Sequence, residues 1–226
     1  MTSVHEFATV TAVRIATTSG RVRVIAEDRD NVRVSGGDRV NQDGSTVTVQ
    51  ASSGSVEVRL PTGVDVMIGT TSGRITVEGR VGSLAAVSGS GRITADHAGS
   101  LDARATSGRI EVQRVDRDCR VRTLSGRVTV AQCHDCEVST RSGRVELAAV
   151  NGSARAHCTS GRIQIRLVEP HDVVAETVSG RISVSVPPGA RVRRTTDDVP
   201  GAPSDKHYDC TVTARSVSGR VDVASR

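Results

Sequence analysis

Two sets of side chains in this sequence have the types and spacing to do chemistry. The first is a column of arginines, each following a glycine: Arg74, Arg92, Arg109, Arg127, Arg144, Arg162 and Arg181, with Arg21 and Arg220 before and after them. Guanidinium groups that recur at one interval concentrate positive charge along a line. Such a line attracts nucleic acid, an anionic polysaccharide or a lipid surface. The second set is Cys133-His134-Asp135-Cys136, whose CxxC spacing suits thiol redox chemistry or, with Cys119 brought alongside, a metal cluster. A row of serines, Ser72, Ser90, Ser107, Ser125, Ser142, Ser160 and Ser179, could supply nucleophiles, but no histidine or carboxylate recurs at a matching offset to activate one. The pattern assigns no catalytic residue and implies no cofactor, so the chain reads as non-enzymatic.

The elements that must position these residues are set by a repeat. Ser-Gly-Arg, or a glycine alone in its place at 37 and 54, recurs with glycines at 20, 37, 54, 73, 91, 108, 126, 143, 161, 180 and 219, at intervals of 17 to 19 residues until a final interval of 39. A unit this short cannot bury a core alone, so the units must stack. Apolar residues alternate on both sides of the glycine, as in Cys119, Val121 and Thr123 before Gly126 and Val128 and Val130 after it, which marks two strands joined at a corner. The predicted fold is all-β, a single-domain β-solenoid with coils of about 17–18 residues. The alternation places the arginines outward, beside Glu111, Glu146 and Asp222, and carries the serines before each glycine inward as a hydroxyl ladder. A second corner holds Ser83, Ser100, Asp118, Asp135, Ser153 and Asp172, short side chains that suit a bond to backbone two residues on.

The same frame weighs the two chemical sets. Flanking acids could reduce the arginine row to a solvated structural ladder, with anion binding as the alternative. Cys119 and Cys136 replace Val and Leu in an inward column, so cysteine as a small buried hydrophobe accounts for the thiols and no metal is assigned. Cys119, Cys133, His134 and Cys136 remain the candidates for a thiol or metal sensor.

The 226 residues are expected to form one domain: an irregular N-terminal part over 1–60, regular coils over 61–186, a Pro/Asp-rich insertion over 187–209 with an exposed loop at 197–209, and a last coil over 210–226. Phe7 and Tyr208, the only two large aromatics, lie at irregular ends and are expected to cap the core or serve assembly. The net charge of +5 is modest. No apolar run approaches the roughly 20 residues of a transmembrane helix. No signal-like start and an odd count of five cysteines are expected of a cytoplasmic protein with reduced thiols.

The run Thr70-Thr71-Ser72-Gly73-Arg74-Ile75-Thr76-Val77, echoed by Arg181-Ile182-Ser183-Val184, resembles the bacterial "putative adhesin" family of β-strand-repeat domains of unknown function. Val22 to Asp30 and the Leu60-Pro61-Thr62-Gly63 turn are similar to the same family. The resemblance implies the fold and brings no catalytic residues. The expected role is a structural or protein-interaction scaffold that associates through its ends as a homo-oligomer or with a protein partner. The alternatives are a polyanion-binding module and the thiol or metal sensor.

Overall fold

The computed structural model describes residues 4–195 and 208–225, which form eleven strands and no helix. They divide into two compact units, Met1–Asp118 and Cys119–Arg226. The first unit holds β1 (Val4–Ala8), β2 (Ala12–Glu27), β3 (Asn31–Ser35), β4 (Arg39–Asp43), β5 (Thr46–Ala51), β6 (Ser55–Pro61) and the opening part of β7 (Asp65–Val150). The second holds the rest of β7 with β8 (Ala154–Leu167), β9 (Val173–Val186), β10 (Val192–Thr195) and β11 (Cys210–Ser225).

In the first unit the rung order differs from the chain order. Val13 of β2 lies beside Val47 of β5 on one edge and Val66 of β7 on the other. Past the corner, Val22 lies between Val56 of β6 and Ile75 of β7 in the same way. The 12–27 rung is therefore enclosed by two rungs made later, with β5 and β6 outermost. Antiparallel strands close that outer side: β4 pairs with β5, β3 with β6, and β1 with β3. Paired edges of this kind leave fewer exposed backbone groups to recruit another chain. Gly37, expected as a repeat corner, sits between β3 and β4 against the Val49 side chain and joins no rung. Phe7 lies opposite Val32 on β1, half-buried and stacked on His5 with ring centroids 6.3 Å apart.

Among the described residues of the second unit the pairings are parallel, and they keep register except for one shift between Leu147 and Val150 where β7 meets β8. Cys136, Ala154, Val173 and Val212 form one column; Gly143, Gly161, Gly180 and Gly219 form another. The inward columns are buried in both units, from Val13 and Ile15 to Val212 and Ala214. Val, Ile and Ala suit such stacks because β-branched and small side chains pack against copies of themselves on a pleated surface. The expected insertion at 187–209 contains β10, a partial rung with Val192 beside Cys210. Of the expected 197–209 loop, Tyr208 and Asp209 are described and the rest lies outside the described residues. Tyr208 is 43% exposed, so it lacks the burial expected of a cap.

The acidic side chains at the second corner bond across rungs instead of along their own backbone. The Asp135 carboxylate accepts from the Ser153 backbone N–H and hydroxyl, both at 2.8 Å. Asp65 accepts from the Ser83 N–H at 2.7 Å and Asp172 from the Thr211 N–H at 2.7 Å. The expected turn lock is thus a rung-to-rung clamp, and the Ser153 bonds hold the Asp135 carboxyl below the usual carboxylate range.

The glycine corners explain the tripeptide. Gly161 has φ +150°, and the place a Cβ would take is filled by the Gly143 carbonyl. Gly54 has φ +99° at the outermost rung, with nothing near its missing Cβ. Gly54→Ala should therefore cost backbone strain alone, about 1–2 kcal/mol. Gly161→Ala adds a clash with backbone and should cost about 3 kcal/mol or more. Urea unfolding of both variants measures the difference; equal losses would show that the rung contact contributes nothing.

Candidate anion-binding groove

Each corner turns the chain so that the glycine and the residues on either side all face outward, and the arginine that follows is held at the rim. In the second unit Arg127, Arg144, Arg162, Arg181 and Arg220 border an open groove of about 820 Å³, and the glycine before each arginine forms its floor. Arg144, Arg162, Arg181 and Arg220 stand directly beside one another in register. Parallel strands lie about 4.8 Å apart, so the row carries one guanidinium per rung at that interval.

All five side chains are exposed, and among the described residues none forms an ion pair or hydrogen bond. Other outward arginines of these units do pair: Arg120 with Glu137 at 3.0 Å, Arg104 with Asp102 at 2.8 Å, and Arg23 with both oxygens of Glu78 at 2.9 Å. Glu146 and Asp222 lie two residues beyond Arg144 and Arg220 yet make no ion pair with them. The neutralisation expected from the sequence occurs at Arg109, which meets Glu111 at 3.4 Å in the first unit. In that unit Arg74 and Arg92 are exposed and unpaired among the described residues. Like charges at one-rung spacing repel by roughly 1 kcal/mol per adjacent pair in water. A bound anion would relieve that repulsion.

The serines before the glycines are not inward. Ser125, Ser142, Ser160 and Ser179 are exposed, and Ser179 and Ser218 line the groove. The buried hydroxyls belong to the residue three places before the glycine: Thr17, Thr70, Ser88, Thr123, Thr140 and Thr177. Thr123 and Thr140 donate to the carbonyls of Ser125 and Ser142 at 3.2 Å, fastening the start of each corner. Alternation fails here because the glycine bend shifts its phase by one residue. The recurring Thr/Ser column was the signal that could have shown it.

The cysteines are all free and buried. Cys136 lies within hydrogen-bonding reach of Cys119 and Cys133, and these neighbours together with burial push its thiol well up. His134 is exposed, whereas the sulfurs are buried. Among the described residues no group of three His, Cys, Asp or Glu is arranged to hold a metal ion. Metal binding and redox exchange both need a thiolate, and burial beside two other thiols disfavours that form at Cys136. In the unfolded chain the thiol ionises near pH 8.5. The folded pKa is the higher, so the stability this thiol contributes is full below about pH 8.5 and lost as pH rises through the folded value. Thermal melting between about pH 7 and 10 should therefore fall more steeply for the native protein than for Cys136→Val. Parallel curves would show that the buried thiol does not carry the effect.

No curated protein matches this sequence. Three solved structures are among those to which this chain shows similarity. One described as a "putative adhesin" from Bacteroides fragilis has 11% identity and a TM-score of 0.49, with 100% of this chain and 96% of that chain covered. Another from Parabacteroides merdae, described in the same words, has 8% identity, a TM-score of 0.31 and coverage of 100% and 96%. A "putative cell adhesion protein" from Clostridium sporogenes has 9% identity and a TM-score of 0.27, with both chains covered in full. The Toastrack DUF4097 family model matches residues 10–199, which include all but the last of the stacked Ser-Gly-Arg corners. With its all-β, β-solenoid-like fold, the chain belongs to the Toastrack DUF4097 family.

Proposed function

We propose that this protein is a non-enzymatic interaction scaffold whose working surface is the arginine groove of the second unit, and that the groove takes an anionic partner. One observation carries the reading: five guanidiniums share an open, glycine-floored groove and none has an acidic counterpart among the described residues. A structural arginine ladder needs acids in its gaps, as Arg120 finds in Glu137. Among the described residues no arginine of the groove row is paired in this way. Its charge is left to attract a partner, and neighbouring guanidiniums add their fields along one line.

Replacing Arg144, Arg162 and Arg181 together by Gln tests the reading, with Arg120→Gln as the ion-paired control. The native protein should bind polyphosphate or dextran sulfate with an affinity that falls steeply with salt. The triple variant should lose most of that affinity and flatten the salt dependence by about two to three charges, with an unchanged circular dichroism spectrum. Equal binding by the folded triple variant would make the row structural.

A further inference from the structure

Resting on that anion-binding reading, we infer that the partner is a linear polysaccharide bearing one carboxylate on each sugar residue, a polyuronate. The first argument is spacing. The row offers one guanidinium per rung, about 4.8 Å apart, over five rungs. That interval is comparable with the length of one hexose residue in an extended chain, so the carboxylates on the side facing the groove fall at whole-rung intervals along the arginine row. Polyphosphate crowds its charges more closely than the rungs and leaves part of them unmatched. A carboxylate also suits the guanidinium fork, which binds it through two parallel N–H bonds.

The second argument is what borders the charges. Single-stranded nucleic acid calls for aromatic platforms on which bases stack. The chain's large aromatics are Phe7 and Tyr208, and neither lines the groove. The floor is bare glycine, open to a chain lying along it. Beside it stand the exposed hydroxyls of Ser179 and Ser218, one rung apart in register. One residue before these in the chain, outside the groove's lining, Val178 is 46% exposed and Val217 is 85% exposed. Charge and hydroxyl in the groove, with apolar surface next to it in the chain, match what a sugar acid presents: carboxylate, ring hydroxyls and C–H faces. A bilayer surface spreads its charge in two dimensions, whereas this groove lines charge up in one and sets its floor behind the side chains.

Fluorescence anisotropy with labelled oligogalacturonates of increasing length tests the inference. The comparison probes are methyl-esterified oligogalacturonate, polyphosphate, single-stranded DNA and vesicles of anionic phospholipid. Affinity should rise with each added uronic acid up to about five residues, matching the five rungs, and then level. It should exceed that for the ester and for polyphosphate of equal charge by about tenfold or more, and vanish in the Arg144/Arg162/Arg181→Gln variant. Arginine-dependent binding of polyphosphate, DNA or vesicles without binding of oligogalacturonate would overturn the polyuronate and leave the anion groove standing. Binding of none of the probes, or binding untouched by the arginine substitutions, would overturn both.

Discussion

Within each unit the carbonyl of one Ser-Gly-Arg glycine stands where a Cβ would be on the next, as that of Gly73 does for Gly91 and that of Gly143 for Gly161, and the other regularities of the unit follow from that contact. It brings adjacent rungs into register at the corner, and register then runs outward along both strands. Ile163 stacks on Ile182, Ser142 on Ser160 and Arg144 on Arg162 because the corner fixes its neighbours, and the register shifts only farther along, between Leu147 and Val150. For the interior this is favourable, since small and β-branched side chains fill a narrow column without gaps. For the rim it is unfavourable, because the same registration sets guanidinium beside guanidinium. The groove is thus a by-product of the constraint that makes the core.

Two kinds of cross-rung bond reinforce the corner from elsewhere in the unit. Carboxylates at the second corner accept from the backbone of the following rung, as Asp135 does from Ser153. Outward ion pairs such as Arg120 with Glu137 lie on the flat faces. Exposed pairs contribute little each, whereas a backbone N–H tied to a carboxylate settles a group that the turn would leave open. Hydroxyls inside the core add a third link, with Thr140 fastened to the carbonyl of Ser142. The thiol group at Cys119, Cys133 and Cys136 belongs with this interior, where a neutral sulfur packs as a small apolar group.

Much of this was legible in the sequence because a repeat samples one local problem many times. The strand-corner-strand unit, the inward columns and the outward arginines followed from period and alternation alone. The serine column was misplaced because alternation describes a straight strand, and the glycine with φ near +150° shifts its phase. The cross-rung role of Asp135 was hidden because its partner Ser153 is a neighbour in space and not along the chain. The order of rungs in the first unit was not legible at all. Periodicity says that rungs stack, but Val13 accepts Val47 and Val66 equally well as neighbours, and nothing local tells which side each will take. Which arginines find acids also depends on side-chain reach: Arg109 and Arg144 each precede a glutamate by two residues, yet Arg109 alone is paired.

The enclosed position of the 12–27 rung bears on how the first unit is made. Both edges of β2 are taken by strands that leave the ribosome after it, one on each side. The segment therefore acts as a seed crystal does, offering two growing faces. One face is covered by a rung that antiparallel strands close off, and the other is covered by the opening part of β7. The first unit is thereby polar: a pairing lost on the wrapped side leaves the β2–β7 side intact.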